Sequence, residues 1–287
     1  MRRILVCFFF CFPFLLAAQV KSAYTIFNHD GKRISYQKMI KALSETDVVF
    51  FGELHNNTLA HWLELQLLKD LYDSNGNLTV GLEMFEADDQ VVLDEYLQGI
   101  IEEKTFIKEA KVWDNYKTDY KPLIEFARKL KVPVIATNVP RRYANLVYRK
   151  GIQSLDSLSP AIKQWIAPLP LVVDYSLSGY KSMLEGMGEH GGGSARNLVA
   201  SQALKDATMA SFIARHQTKG NLFYHVNGAY HSQDNQGILN YLRQLKPELK
   251  ISTVHVTEQA DIEKLEESTF NKADFIICIV NDMIKSY

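Results

Sequence analysis

VVFFGELHNNTLAHW, residues 48–62, changes character at its middle. Four apolar residues, Val48 to Phe51, read as a buried strand; a glycine, a carboxylate and a histidine follow, and from Leu59 to Leu71 apolar residues recur at helical spacing. A strand that runs into Gly52-Glu53-Leu54-His55 and then into a helix is the opening unit of a layered α/β sheet. In such sheets ligands bind beyond the carboxyl ends of the strands.

The same alternation continues. Val/Ile/Phe-rich runs at Leu78 to Met84, Pro133 to Asn138, Leu222 to Asn227, Ile251 to Val256 and Phe275 to Val280 lack strict polar alternation, as strands covered on both faces do. Ala87 to Ile101, Tyr120 to Leu130 and Gly237 to Leu245 read as helices. Asp88 is placed to cap the second helix, Thr118 or Asp119 the third, and Pro140 suits the first turn of another. The predicted fold class is α/β: a mostly parallel sheet flanked by helices. From about Ser157 to His216 no strand is legible, which predicts an inserted helical cap subdomain (about 157–216) before the strand at Leu222. Within it, Gly186-Met-Gly-Glu-His-Gly-Gly-Gly193 reads as a mobile lip or a plain surface loop.

The 287 residues are 47% apolar and 23% charged, with a formal net charge of -1, so the chain can bury a large core. Removing a leader that carries Arg2 and Arg3 takes the charge to about -3, which gives no general attraction to nucleic acid or anionic lipid. MRRILVCFFFCFPFLLAA, residues 1–18, has a basic start, an apolar run and small residues at its end, the pattern of a signal peptide. The mature domain is then 19–287, exported to the periplasm or beyond and soluble after cleavage. Cys7 and Cys11 lie inside the apolar run and not after it, so a lipidated amino terminus is not expected. Cys278, in Asp274-Phe-Ile-Ile-Cys-Ile-Val280, reads as a buried, inert thiol.

The chemistry gathers at strand ends. Gly52-x-x-His55 and Gly228-x-x-His231 repeat one spacing, of which 15 glycines and 8 histidines would give roughly 0.4 by chance, so context has to carry the signal. Each follows an apolar strand and precedes a helical pattern, and a parallel sheet brings all such ends to one edge. Glycine there permits positive φ and close approach of a ligand. Glu83 within Gly81-Leu-Glu-Met-Phe85, Asn138 at the end of the run from Pro133 and Arg141 just after it join the same edge. A carboxylate in so apolar a segment needs a partner. Arg141 offers a structural ion pair. The functional alternative joins Glu53, His55, Glu83, Asn138, Arg141 and His231 in one pocket for a metal or an anionic ligand. His55, His231, Glu53 and Glu83 suit zinc or iron, and arginine fits carboxylates. His61 in a helix and His225 in a strand read as structural.

These residues resemble the Tiki superfamily, and the fuller text resembles its ChaN branch of haem-binding uptake proteins. FFGELHNN, GLEMFEADDQVVLDEYL, TDYKPLIEFA, VIATNVPRRYA, SQALKDATMA and NGAYHSQDNQGI carry the resemblance, in order, from about Val48 to Leu245. It implies an exported haem- or iron-binding protein of haem uptake. An exposed Tyr, His or Met would ligate iron and basic groups would hold the propionates. The cofactor-binding candidates are Arg141, Tyr230 and His190, with Tyr175 and Tyr180 as further nearby tyrosines. A flat ligand left half exposed favours a second protein face, so a ligand-linked homodimer is among the expectations, with an outer-membrane uptake system as partner. Many ChaN-like proteins are lipoproteins, and this leader departs from that pattern. Relatives resembling metallopeptidases and erythromycin esterases imply the alternative, a metal-dependent hydrolase. It would use His55 or His231 as general base, with Glu53 or Glu83 orienting the base or holding a divalent metal.

Overall fold

The structure is a computed structural model that describes residues 21–186 and 192–287. The leader, residues 1–18, His190 and most of the glycine run lie outside the described residues. The strands are β1 (Tyr24–Asn28), β2 (Val48–Glu53), β3 (Leu78–Glu86), β4 (Val134–Asn138), β5 (Leu222–Gly228), β6 (Ile251–Gln259) and β7 (Phe275–Val280). The helices are α1 (Tyr36–Leu43), α2 (Thr58–Asn75), α3 (Gln90–Leu97), α4 (Glu103–Glu109), α5 (Lys121–Leu130), α6 (Arg141–Lys150), α7 (Pro160–Lys163), α8 (Ser178–Gly186), α9 (Gly192–His216) and α10 (Ile238–Leu245).

The strands form one sheet in the order β1-β7-β6-β2-β5-β3-β4, parallel throughout except for β1, which runs antiparallel along β7. Six of the strands are the runs read from the sequence. The seventh, β1, was not anticipated, because a five-residue edge strand with one partner carries little pattern. Both faces are covered. Val49, Phe51, Val80 and Tyr224 pack with Leu63 and Leu67 of α2 and Ile124 of α5. On the opposite face Val48, Phe50 and Phe223 pack with Met209 and Ile213 of α9 and Leu239 and Leu242 of α10. Each such side chain contributes about 1.5–3 kcal/mol by leaving water, which is why strict alternation was absent from these runs.

Local chemistry sets several boundaries. The Asn57 side chain accepts from the Ala60 N–H at 2.9 Å and starts α2, and Gly76 ends it in the left-handed region. Gly99, at φ 76°, stops the helix expected to reach Ile101. Asp88 does not cap α3: its Oδ2 is 2.7 Å from an Arg142 nitrogen. Asp119 does not cap α5 either, since Tyr116–Tyr120 form a π turn in which its carboxylate accepts from Asn115 at 2.7 Å. Pro140 stands one residue before α6.

Among its described residues the long connection between β4 and β5 holds the helices α6, α7, α8 and α9 and no strand, with residues 164–177 in turns and irregular chain. Its last helix has two roles. The carboxyl-terminal half of α9 covers the sheet through Met209, Ala210 and Ile213. Its earlier turns pack Ala200 and Leu204 on α6 and Val199 and Ala203 on Tyr180 of α8, carrying α9 past the carboxyl ends of the strands.

Candidate functional site

Adjacent strands β2 and β5 are in register with Gly52 opposite Asn227 and Glu53 opposite Gly228. The two Gly-x-x-His turns therefore leave the same edge of the sheet side by side. Neither glycine is in the left-handed region; Gly228 has φ -55°. Positive φ is thus not the reason for glycine here, as the sequence had suggested. The reason is room, and each motif makes room for the other. A Cβ on Gly228 would lie 2.6 Å from His55 Nε2, and one on Gly52 would lie 3.0 Å from Ala229 Cα and 3.1 Å from Ser232 Oγ.

His55 Nδ1 donates to Glu53 Oε1 at 2.7 Å, with the carboxylate fully buried and the imidazole 35% exposed. The Tyr120 hydroxyl donates to the same oxygen at 2.7 Å, and the His55 ring meets the Trp113 ring edge-on at 5.0 Å. Burial opposes protonation of His55, but the Glu53 hydrogen bond and charge outweigh it and raise its pKa. Burial likewise opposes ionisation of Glu53, yet the hydrogen bond from His55 foremost holds it well below the usual carboxylate range.

The second dyad is more deeply buried. Glu83 follows the last in-register pair of β3 with β5, Leu82 with Val226. Its Oε2 then takes the Gly228 N–H at 2.8 Å, and its Oε1 lies 3.1 Å from His231 Nε2. His231 Nδ1 donates to Asp206 Oδ1 of α9, and the Tyr180 hydroxyl donates to Asp206 Oδ2 at 2.5 Å. Against the cost of burial, the charges of Glu83 and Asp206 push His231 up to about 10. Burial also works against the Glu83 anion, but the His231 charge brings its pKa down to about 2. This is a buried, doubly paired imidazolium.

Arg141 is not the partner of Glu83. It stands exposed at the start of α6 and makes no ion pair among the described residues, because His231 already occupies the carboxylate. Asn138 donates to the Glu83 carbonyl at 3.0 Å. Tyr230 is half-exposed at the rim, its hydroxyl donating to the Gly179 carbonyl. Tyr175 lies under the Arg196 guanidinium at 4.1 Å, and Tyr180 is buried in the Asp206 network. His225 is structural: buried between Thr137 Oγ1 at 2.9 Å and Asn227 Oδ1 at 3.0 Å, with burial lowering its pKa to about 4. The Cys278 thiol is buried, which raises it to about 12.

Glu53, His55, Glu83, Asn138, Arg141, Tyr230 and His231 line one cavity of about 530 Å³, together with Lys205 and Gln202. A neighbouring cavity of about 760 Å³ shares Met84, Glu86, Trp113 and Arg141 with it and extends to Lys111, Arg142 and Tyr287. Together they make one cleft over the strand ends. Asp206, Gln202, Tyr120 and Trp113 were not singled out from the sequence, since each is far from either motif in the chain. His61 was read as structural. It is buried, and with Glu53 and Glu64 it forms a group whose ligand-type atoms lie within 4.8 Å of one another; among the described residues the other such group is Glu86, Asp88 and Asp89. His55, Glu53, His231 and Glu83 stand as two dyads on a shared cleft. The i, i+3 pair His61 and Glu64 on a helix following Glu53 was the available signal.

Among solved structures, the ChaN protein of Campylobacter jejuni, described as binding haem cofacially, matches with a TM-score of 0.66 at 20% identity over 91% of this chain and 96% of that one. A Bacillus cereus protein matches with a TM-score of 0.50 at 11% identity, covering 85% of this chain and 90% of its own. A succinoglycan biosynthesis protein matches with a TM-score of 0.51 at 11% identity over the same shares, 85% and 90%. At these identities the superpositions speak to the fold alone. The comparison with curated protein sequences gives no match. A family model described as haem-binding uptake, Tiki superfamily, ChaN matches residues 39–242. That span is more than half of the chain and takes in both Gly-x-x-His turns, Glu83 and Asp206, and the chain belongs to the ChaN haem-binding uptake family of the Tiki superfamily.

Proposed function

We propose that this chain is an exported protein that binds haem in the cleft over the strand ends and serves haem or iron uptake. The observation that carries the reading is the cleft itself. Its two adjoining cavities, about 530 and 760 Å³, each lie in the range of about 300–1,000 Å³ that organic ligands occupy. At their junction stands Arg141, with no ion pair among the described residues, and Lys205 lines the same wall. An unengaged guanidinium beside an aromatic wall suits a flat ligand with carboxylate arms. The donor types fit iron as well. His55 has Nδ1 engaged by Glu53 and its ring half-exposed, the arrangement that orients an imidazole as a ligand. Tyr230 and Tyr287 offer phenols on the two cavity walls. His190 belongs to the proposal from sequence alone. Export is proposed from the leader; among the described residues no helix is long and apolar enough to cross a membrane.

Titration of the purified protein with haemin tests this. The expected result is a saturable Soret shift at one equivalent per chain, with sedimentation reporting any ligand-linked dimer. His55→Ala and Tyr230→Phe variants identify the iron donor by their altered spectra. No saturable shift would remove haem binding as the function.

A second reading has its own observation: both histidines carry a buried carboxylate partner, and the more exposed one, His55, faces the cleft. His55 paired with Glu53 is the arrangement of a general base on water, and the protonated His231 that of a fixed positive charge for a developing anion. Peptide or ester cleavage, with and without zinc, that is abolished by His55→Ala would favour this hydrolase.

A further inference from the structure

Next to the cleft lies a second group of charges, joined to it through Glu53. Glu53 and Glu64 have fully buried side chains, His61 is 3% exposed and Asp119 2%. Among the described residues no lysine or arginine lies within ion-pair distance of the three carboxylates. Even counting His55 on the other oxygen of Glu53, two imidazoles face three carboxylates, an imbalance that is costly without a counter-ion or a bound proton.

The geometry indicates where a counter-ion belongs. His61 Nδ1 is 3.2 Å from Glu53 Oε2 and 3.3 Å from Glu64 Oε2. Metal bonds of about 2.0–2.2 Å hold neighbouring ligand atoms about 3–3.5 Å apart. Glu53 Oε2 and Glu64 Oε1 are buried without a hydrogen-bond partner. On the far side of the ring, His61 Nε2 is 3.1 Å from the His55 carbonyl and 3.4 Å from Asp119 Oδ2, and Asn115 donates to Asp119 at 2.7 Å. With a metal ion bound, these acceptors would hold the ring proton on Nε2 and leave the Nδ1 lone pair to the ion, beside the two glutamates. It is the support that metal-bound imidazoles receive from outer carboxylates and carbonyls.

We infer that Glu53, His61 and Glu64 form a buried site for one divalent transition-metal ion, distinct from the cleft and linked to it because the other oxygen of Glu53 holds His55. One imidazole with carboxylate oxygens and no thiolate suits zinc, iron or manganese. The inference does not depend on haem binding.

The test uses the full-length mature protein, free of haem. It is unfolded with chelator and refolded with zinc alone or cobalt(II) alone, since a closed site loads as the chain folds. The expected result is one equivalent of metal retained through gel filtration, a higher Tm than the metal-free protein, and an X-ray absorption spectrum of the zinc form showing one imidazole with oxygen ligands. Glu64→Gln should lose the ion, and Asp119→Asn should weaken its binding about 10- to 100-fold. No retained metal would overturn the inference and assign the excess charge to bound protons. A spectrum with two imidazoles would overturn it by moving the ion to His55 and His231, and so would a Glu64→Gln protein that keeps its metal. Should that variant not fold, the wild-type spectrum decides alone: one imidazole supports the site, two or none refute it. A failed haemin titration leaves each of these outcomes readable.

Discussion

His55 Nε2 stands 2.6 Å from the point that a Cβ on Gly228 would occupy. The glycine of the second motif is therefore the seat of the first motif's histidine. Gly228→Ala should displace the His55 ring and cost about 1–3 kcal/mol, the usual range for overpacking. Urea unfolding measures the cost. A variant as stable as the wild type, with unchanged ligand binding, would show that the ring has room to move.

The His231 network sets a pH window for stability. The folded pKa of His231, about 10, lies above the ordinary 6.5, so its contribution is full below about pH 6.5 and lost as pH rises toward 10. The folded pKa of Glu83, about 2, lies below the ordinary 4.5, so its contribution is full above about pH 4.5 and lost as pH falls toward 2. The Tm difference between wild type and His231→Gln should be greatest between about pH 4.5 and 6.5 and should narrow in both directions. A difference that grows above pH 8 would contradict the assignment.

Asp206 is the residue of α9 on which His231 depends. Asp206→Ala leaves a buried imidazolium with one partner fewer and should cost about 3–5 kcal/mol. Tyr180→Phe, which removes one hydrogen bond to the same carboxylate, should cost about 1 kcal/mol. Because they share a partner, the double variant should be less destabilised than the sum. Strict additivity in chemical denaturation would argue against a single network.

Arg141 offers the opposite profile. Exposed and unpaired among the described residues, it should tolerate Arg141→Ala within about 0.5 kcal/mol of wild-type stability. If it holds a propionate, haemin affinity should fall about 10-fold, as loss of a charged hydrogen bond implies. Equal haemin affinity in the variant would place the anionic arms elsewhere.

Export is checked by intact mass. Protein made in its native host should lack residues 1–18. A retained Met1 or a lipid on the amino terminus would show the leader reading to be wrong.

Period and composition in the sequence determined the sheet. Strands buried on both faces, such as Val48–Glu53 and Leu222–Gly228, must be apolar at nearly every position, and helices that cover them must repeat at helical spacing, so six strands and the main flanking helices were legible. The two Gly-x-x-His turns were legible as strand ends for the same reason. Partner choice was decided by tertiary structure. Glu83 takes His231 because β3 and β5 are neighbours and α9 brings Asp206 to the far side of the ring, while Arg141, nearer to Glu83 in the chain, stays in solvent. His61 reads from its helix as an ordinary buried residue. Glu64 stands beside it at i+3 on the same helix, but only the packing of α2 against the end of β2 and the Tyr116–Tyr120 turn brings Glu53 and Asp119 to it. A buried charge is satisfied by whatever the fold brings within a few ångströms, and that distance is not written in chain separation.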